Sequence, residues 1–227
     1  MPSRKLPAFV LVRPRNPGNI GAAARVMANF GFADLRIVAP YPPIWDDALK
    51  LAADSKSLVR RAKVYKTLPL ALADRARVYG TSSLKGRTSG LTARSLPALR
   101  IIAGCALVFG PENNGLSEDD LQYCDELLHI QTTERHSSLN LAQAVAIVCY
   151  GISCAEPTVE SERALIPWRG VERLIDEGER AFRKLRYRPA MTPAGRRTRL
   201  RKILRKRGLS REEAGMLSEL LRRVIES

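Results

Sequence analysis

Four short segments are rich in glycine or in small hydrogen-bonding side chains, and each lies beside an apolar run. They are residues 16–21, 80–83, 110–115 and 137–140. Glycine lets the backbone approach a ligand closely, whereas Ser, Thr and Asn side chains supply neutral hydrogen bonds. Ligands of open α/β sheets bind beyond the carboxyl ends of the strands. The pattern therefore predicts a site for a small, mostly neutral ligand.

Several common catalytic and cofactor motifs are missing from the sequence. It has no G-x-G-x-x-G and no G-x-x-x-x-G-K-[ST], which disfavours a dinucleotide site and a P-loop. It also has no G-x-S-x-G elbow. The four cysteines form no C-x-x-C pair and only two histidines occur, so we expect no metal site. Cys105 and Cys149 lie in apolar runs and are predicted to be small buried hydrophobes.

The turns need regular elements to hold them. Apolar runs bounded by turn residues predict five strands, at 8–12, 35–38, 77–79, 106–109 and 127–130. Helical periodicity predicts helices at 20–30, 45–53, 68–73 and 139–154, with a short helix after Ser117. Strands that alternate with helices indicate an α/β fold built on a parallel sheet.

The positive charge of the chain is concentrated near its end. The formal net charge is +15, and residues 161–227 contain 19 Lys and Arg against 9 Asp and Glu. Helices are predicted there at 170–187, 193–207 and 210–225, the last opened by the capping box of Ser210 and Glu213. An excess of this size favours a polyanionic partner such as nucleic acid, although a solvated basic face is the simpler alternative. The apolar run after Met1 is too short for a signal peptide or a membrane span, so we expect a cytoplasmic protein without a membrane partner.

Three of these segments resemble the sequence motifs of one enzyme family. Residues 16–25 (NPGNIGAAAR), 107–116 (LVFGPENNGL) and 137–146 (SSLNLAQAVA) are similar, in this order, to the three motifs of the SpoU/TrmH branch of the SPOUT methyltransferases. The basic helical tail makes the whole chain resemble the TrmJ group of that branch.

The resemblance implies a fold, a cofactor and a reaction. The implied fold is a parallel α/β sheet with helices on both faces and a C-terminal trefoil knot, followed by a small all-helical module. We expect a methyltransferase domain over 1–155 with the knot at about 105–155, a linker over 156–162, and a basic RNA-binding module over 163–227. The implied activity is S-adenosylmethionine-dependent 2′-O-methylation of a cytidine or uridine ribose at position 32 of the tRNA anticodon loop, by a homodimer whose active sites borrow groups from the partner.

The resemblance also assigns roles to individual residues. The catalytic positions correspond to Asn19, Arg25, Glu112, Ser138 and Asn140. The cofactor-binding positions correspond to Thr81, Ser82, Ser83, Gly110, Ile130, Ser137, Ser138, Leu139, Asn140, Leu141 and Ala142. Arginine is effectively always charged in proteins, which argues against Arg25 as the base. We hypothesise instead that Arg25 holds the target phosphate and stabilises the developing alkoxide.

Simpler roles and other functions stay open from the sequence. Asn19 and Ser138 are each placed where a helix N-cap is expected, Glu112 can be an ordinary turn acid, and Arg25 an exposed helix residue. His136 is expected to be a surface residue of a loop, and Trp45 and Trp168 are expected to be packing residues. Ribosomal RNA is an alternative substrate, and a non-catalytic RNA-binding protein of the same fold is an alternative class.

Overall fold

The structure is a computed structural model that describes residues 6–41, 45–83, 90–96, 104–133, 138–154, 164–188, 190–205 and 208–227. The described residues divide into two compact units. The first comprises Met1–Leu72 and Arg77–Thr158, and the second comprises Ala73–Ala76 and Val159–Ser227. The predicted linker over 156–162 lies outside the described residues, and so does residue 155, where the knot is predicted to end.

The first unit is built on a parallel sheet. Seven strands are found in the described ranges: β1 Ala8–Val12, β2 Asp34–Val38, β3 Lys63–Tyr65, β4 Val78–Thr81, β5 Ala93–Ser95, β6 Ala106–Phe109 and β7 Glu126–His129. They pair in the order β3-β2-β1-β6-β4-β7-β5, and every pair is parallel. The predicted α/β class with a parallel sheet is confirmed.

Six α-helices lie in the described residues of the first unit. They are α1 Pro17–Asn29, α2 Trp45–Leu51, α3 Lys56–Arg61, α4 Leu68–Leu72, α5 Glu118–Leu121 and α6 Leu141–Cys154, with a 3₁₀ turn at Ala53–Ser55. The predicted helix over 45–53 therefore ends earlier, at Leu51. The predicted strand at 77–79 extends instead from Val78 through Gly80 to Thr81.

Both faces of the central strands are buried. Register partners in a parallel sheet point to the same face, so Phe9, Leu35 and Leu107 share one face. That face packs in one core with residues of α1, α2 and α6, including Ile20, Met27, Ala48 and Val145. Val10 and its partner Arg36 point the other way, and there the Arg36 guanidinium donates to the Ala71 carbonyl of α4 at 2.6 Å. Helices thus cover the sheet from both sides.

The second unit is helical in its described residues. It contains α7 Trp168–Lys184, α8 Pro193–Arg205 and α9 Arg211–Glu226, and α7 packs against both of the others. The predicted capping box is present, because the Ser210 hydroxyl accepts from the Glu213 amide while the Glu213 carboxylate accepts from the Ser210 amide. Ala73–Ala76 belong to this unit through backbone hydrogen bonds, such as that from the Trp168 amide to the Arg75 carbonyl at 2.7 Å.

Buried ion pairs use part of the positive charge of the second unit. Arg196 on α8 binds Glu179 on α7 through two hydrogen bonds of 2.9 and 2.7 Å, and both residues are buried. Arg201 binds Glu172 at 3.0 Å. The Arg205 guanidinium lies 4.0 Å from the ring centroid of Trp168, which makes this tryptophan a packing residue, as predicted.

Candidate active site

The polar turns meet because the strands that carry them are neighbours. The sheet order places β1, β6, β4 and β7 side by side, and all run parallel. Their carboxyl ends therefore lie along one edge of the sheet, although the corresponding turns are far apart in sequence. A cavity of about 270 Å³ opens at this edge.

The cavity contains most of the predicted cofactor-binding residues. Its lining includes Thr81 at the end of β4 with Ser82 and Ser83 after it, Gly110 and Glu112 after β6, Ile130 after β7, Ser138 and Leu139 before α6, and Leu141 as the first residue of α6. Asn140 and Ala142 are not among the described lining residues, and Ser137 lies outside the described residues. The lining also has members that the sequence analysis did not assign, namely Phe109, Pro111, Asn113, Asn114, Gly115, Leu128 and Ala144. Pro111, Asn113, Asn114 and Gly115 share a turn with assigned residues, which was the available signal, whereas Phe109 lies in β6, Leu128 in β7 and Ala144 in α6.

Two glycines beside this cavity occupy positions with no room for a Cβ atom. A Cβ atom on Gly110 would lie 2.2 Å from the carbonyl carbon of Gly115 and from the amide nitrogen of Leu116. A Cβ atom on Gly80 would lie 2.7 Å from the Cys124 sulfur. A residue with a Cβ atom fits at position 110 only if the turn opens, because the atoms that face this position belong to the backbone.

Hydrogen bonds hold the polar end of β4 in place. The Thr81 hydroxyl donates to the Val108 carbonyl at 3.1 Å. The Ser82 amide donates to the Leu128 carbonyl at 3.1 Å, and the Ser82 carbonyl lies 3.0 Å from Nδ1 of His129. The turn is therefore linked to both neighbouring strands, which makes this side of the cavity rigid.

The three motifs are joined by a directed chain of hydrogen bonds. The Ala142 amide donates to Asn140 Oδ1 at 2.9 Å, Asn140 Nδ2 donates to Asn19 Oδ1 at 3.0 Å, and Asn19 Nδ2 donates to Glu112 Oε1 at 2.7 Å. Each amide side chain accepts on its oxygen and donates from its nitrogen, so the chain has one direction and ends on a carboxylate. Asn19, Glu112 and Asn140 are thereby brought together.

Glu112 is held as a carboxylate at neutral pH. Burial raises its pKa, but hydrogen bonds from Asn19 and from the backbone amides of Glu112, Arg15 and Asn16 outweigh this effect and hold the pKa below its ordinary value. The Arg15 and Asn16 amides lie 3.2 and 3.3 Å from the carboxylate oxygens. A carboxylate whose lone pairs are already occupied orients its donors better than it accepts a new proton.

Two expected helix caps fall on other residues. The N-cap of α1 is Asn16, whose side chain accepts from the Gly18 amide at 2.8 Å, and not Asn19. Helix α6 begins at Leu141 and not at Leu139, so its first amides are capped by Asn140 and not by Ser138. Asn19 does not cap its helix, and its buried side chain donates to Glu112 instead. Asn140 caps α6 through Oδ1 and donates to Asn19 through Nδ2.

Arg25 lies apart from this chain of hydrogen bonds. It is exposed on α1 and does not line the cavity. Within the described residues its guanidinium has no ion-pair partner. The structure thus joins Asn19, Glu112 and Asn140, places Ser138 at the cavity, and leaves Arg25 on a solvent-facing side of the same unit.

Arg13 and Asp120 form a link that the sequence analysis missed. The Arg13 guanidinium, just after β1, binds both carboxylate oxygens of Asp120 on α5, one of them at 3.1 Å. Asp120 also accepts from the amide and hydroxyl of Ser117, at 2.8 and 2.7 Å. Burial raises the pKa of Asp120, but the bonds from Arg13 and Ser117 outweigh it, so the pKa lies below its ordinary value. The capping spacing of Ser117 and Asp120 was visible in the sequence, but the Arg13 partner was not.

Neither a metal-binding cluster nor a membrane-spanning helix is found in the described residues. The described ranges hold no group of three or more His, Cys, Asp and Glu residues able to bind a metal ion. None of the helices in the described part of the chain has the length and apolar character needed to cross a membrane. Cys105 and Cys149 are buried as predicted, and burial raises the pKa of the Cys149 thiol to about 12, which removes it as a nucleophile.

Comparison with known proteins identifies the family. A model of the SpoU rRNA methylase family matches residues 7–150, so the chain belongs to that family. The tRNA (cytidine-2′-O-)-methyltransferase TrmJ of Methanocaldococcus jannaschii is 36% identical over 152 residues, which cover 64% of this chain and 66% of that protein. The tRNA (cytidine/uridine-2′-O-)-methyltransferase TrmJ of Klebsiella pneumoniae is 34% identical over 189 residues, which cover 77% and 75% of the two proteins.

A solved structure extends the similarity to nearly the whole chain. The crystal structure of TrmJ from Z. mobilis ZM4 has a TM-score of 0.83 and 31% sequence identity. The match covers 96% of this chain and 99% of that chain. The similarity therefore includes the helical second unit as well as the sheet.

Proposed function

We propose that this protein transfers the methyl group of S-adenosylmethionine to a ribose 2′-hydroxyl of tRNA. The observation that carries the proposal is the hydrogen-bonded chain that joins Asn140 through Asn19 to Glu112, a residue of the cavity lining. Membership of the SpoU family and the similarity to tRNA 2′-O-methyltransferases support it.

The cavity has the chemistry that S-adenosylmethionine requires. Ser, Thr and Asn side chains and the close backbone at Gly110 offer neutral hydrogen bonds, while Leu128, Ile130 and Leu141 offer apolar surface for an adenine ring. When bound, the cofactor supplies an already activated methyl group. Thr81 to Ser83, Gly110, Ile130 and residues 137–142 are proposed to hold it. A trefoil knot over about 105–155, within a catalytic domain of 1–155, is part of this proposal.

The polar chain is proposed to orient the ribose. A ribose hydroxyl is a weak nucleophile, so it must be held in line with the methyl group and lose its proton late. Asn140 has a second amide hydrogen that its contact with Asn19 does not use. That hydrogen, together with the Ser138 hydroxyl at the cavity, is available to the substrate. Glu112 fixes this arrangement through Asn19.

Arg25 is proposed to bind the phosphate of the target nucleotide and to stabilise the alkoxide. Its guanidinium is exposed and unpaired within the described residues, as a phosphate ligand must be before the substrate binds. Because Arg25 does not line the cavity of its own chain, the proposal includes a homodimer in which each site uses Arg25 of the partner subunit. Exposed Phe30, Ile147 and Tyr150 near the contact of α1 with α6 provide apolar surface for such an interface.

The substrate is proposed to be the anticodon loop of tRNA, at the ribose of residue 32, bound in part by a basic helical module over 163–227 behind a linker at 156–162. Exposed cations of α7 and α8, such as Arg180, Arg199 and Lys202, have no ion-pair partner in the described ranges and are suited to phosphate. The family description names rRNA, so rRNA is kept as the competing substrate. We further propose that the protein works in the cytoplasm.

Methylation mapping tests this proposal. Purified protein with labelled S-adenosylmethionine is expected to modify unmodified tRNA transcripts at the ribose of residue 32, and to leave rRNA fragments unmodified. Loss of a 2′-O-methyl group from rRNA alone, in cells lacking the gene, would contradict the tRNA assignment. A calorimetric titration with S-adenosylmethionine separates the enzyme from a non-catalytic RNA-binding protein, because the latter would bind no cofactor.

A further inference from the structure

Three adjacent strands carry exposed residues suited to RNA at the edge where the cavity opens. Arg15 follows β1, Tyr41 follows β2 and Lys66 follows β3, and all three residues are exposed. The strands are neighbours and parallel, with β6 and Glu112 next to β1 on the other side. Neighbouring strands lie about 4.8 Å apart, so the three residues follow one another along about 10 Å of the edge. We call Arg15, Tyr41 and Lys66 the carboxyl-edge row.

Backbone hydrogen bonds past the ends of the strands hold this row in place. The Arg13 amide donates to the Val38 carbonyl at 2.8 Å, and the Ala39 amide donates to the Tyr65 carbonyl at 2.9 Å. The Tyr41 amide donates to the Pro14 carbonyl at 3.3 Å. The three turns are thereby joined to each other, so their side chains project from a single ordered surface.

Two residues of these turns have an unfavourable backbone conformation. Arg13 has φ of 47° and Ala39 has φ of 42°, although neither is glycine. Such conformations are uncommon for residues with a Cβ atom and are found at functional sites. Both follow directly on a strand, at the start of the turns that carry Arg15 and Tyr41.

Tyr41 presents an aromatic ring without a structural use in the described fold. It is 70% exposed, the largest value among the exposed large apolar residues. Its ring packs in no aromatic pair of the described residues, and its hydroxyl has no hydrogen-bond partner there. An exposed aromatic ring beside cations is the usual way for a protein to stack an unpaired base, whatever its identity.

Arg15 and Lys66 supply free positive charge on either side of the ring. Neither side chain forms an ion pair within the part of the chain that the structure describes. The backbone amide of Arg15 donates to Glu112 at 3.2 Å, so the residue is fixed next to the polar chain of the candidate active site. Arg13, by contrast, is engaged by Asp120.

We propose that the carboxyl-edge row binds the single-stranded RNA beside the methylated nucleotide. Tyr41 stacks on an unpaired base, while Arg15 and Lys66 bind the phosphates on either side of it. The inference rests on the proposed function, because it extends the RNA site of the same enzyme. It predicts that the enzyme recognises an unpaired strand at this edge, in addition to the contacts of the helical second unit.

Binding of an unstructured RNA distinguishes the stacking role of Tyr41 from the phosphate-binding roles of Arg15 and Lys66. The intact protein is titrated with a labelled oligouridine of about ten nucleotides, a length within the usual site sizes for single strands. We expect Tyr41→Ala to weaken binding roughly tenfold, and Tyr41→Phe to bind like the unchanged protein, because the ring is retained. Log K falls as log salt rises, and Arg15→Gln and Lys66→Gln should each make this negative slope shallower by about 0.7. Tyr41→Ala should leave the slope unchanged.

A matched control comes from the opposite edge of the sheet. Arg61 is exposed at the end of α3, just before the amino end of β3. Arg61→Gln removes the same charge there and should change neither the affinity nor the slope. A melting curve for each variant excludes loss of folding, since all four side chains are exposed.

The same variants are tested for methylation of tRNA. A loss of kcat/KM in Tyr41→Ala and Arg15→Gln, with Arg61→Gln unaffected, is the expected result. Oligouridine binding and tRNA methylation that are both unchanged in the row variants would overturn the inference and leave the proposed function intact. If the unchanged protein methylates no RNA while the binding results hold, the proposed function fails and the row is still an RNA site.

Discussion

Asn140 has two separable tasks at the scale of single residues. Its Oδ1 caps α6 by accepting from Ala142, and its Nδ2 donates to Asn19. The cap stabilises the helix, whereas the donor continues the chain to Glu112. The two atoms can be changed independently, because aspartate has the first acceptor but lacks the donor.

Asn140→Asp is expected to abolish most activity without unfolding the protein. Aspartate is as good an N-cap as asparagine, and its charge is favourable at a helix N-terminus, so stability should be retained. Without the donor, Asn19 Oδ1 loses its hydrogen bond from residue 140, and misplacing the reacting groups should lower the methylation rate roughly a hundredfold. Asn140→Ala should in addition lower the free energy of unfolding by about 1 kcal/mol. Equal stability of the two variants would show that the cap is unimportant.

Arg25→Lys tests the proposed phosphate contact. Lysine keeps the charge but cannot hold two phosphate oxygens in one plane, so kcat/KM for tRNA methylation should fall at least about tenfold. The control is Arg61→Lys, also exposed in the first unit, which should keep full activity. Near-full turnover of Arg25→Lys would mean that charge alone is needed and that the forked contact is wrong.

At the scale of elements, the turn after β6 depends on space that only glycine leaves. Gly110→Ala would put a methyl group 2.2 Å from backbone atoms of Gly115 and Leu116. We expect a loss of about 1–3 kcal/mol in the free energy of unfolding and weaker S-adenosylmethionine binding by calorimetry. Gly215→Ala is the control, because a Cβ atom there meets nothing within 4 Å on α9. That variant should gain about 0.5–1 kcal/mol. If Gly110→Ala binds S-adenosylmethionine as the unchanged protein does, the turn after β6 is not part of the cofactor site.

The Arg13–Asp120 pair joins β1 to α5 and makes stability depend on acid. The folded pKa of Asp120 lies below its ordinary value, so its contribution is present above the unfolded pKa of about 4 and is lost as the pH falls through the folded value. Asp120→Asn should lower the free energy of unfolding at pH 7 by about 1–3 kcal/mol. Denaturant unfolding at several pH values is the measurement.

The pH dependence provides the check on this pair. Below about pH 4 the unchanged protein should lose stability more steeply than Asp120→Asn. Some slope should persist in the variant, since the pKa of Glu112 is lowered as well. Parallel acid curves for the two proteins would contradict the role given to Asp120.

At the scale of the whole molecule, the net charge of +15 overstates the charge that RNA can contact. Arg196 and Arg201 of α8 are buried against Glu179 and Glu172, whereas Arg199 between them is exposed. One helix therefore carries arginines that hold the helical unit together and others that are open to solvent.

Two substitutions on α8 should distinguish the buried, paired arginines from the exposed ones. Arg196→Gln removes the partner of buried Glu179 and should lower the melting temperature of the protein. Arg199→Gln should leave the melting temperature unchanged and reduce the salt dependence of tRNA binding by about one phosphate contact, a slope change of about 0.7–0.9. If Arg199→Gln binds tRNA with an unchanged slope, this face of α8 does not contact the RNA.

Local pattern was sufficient for the class of fold and for most residues of the cavity. Continuous apolar runs indicated β1 and β6, and glycine-rich turns indicated the loops, because burial on both faces and close backbone approach leave visible marks on a sequence. Strands β3 and β5 were missed. Each has only three residues, two of them exposed, and is a strand only through its hydrogen bonds to a neighbour.

The partners within the site came from the folded chain alone. Asn140 and Asn19 are 121 positions apart, and Arg13 and Asp120 are 107 apart. No spacing rule connects such residues, because the order of the strands in the sheet, with β6 inserted beside β1, determines which turns meet. The assignment of the caps to Asn16 and Asn140 was also decided in this way. Several residues near each helix start can accept an amide hydrogen bond, and the local spacing does not say which one does; in the folded chain Asn16 and Asn140 do so.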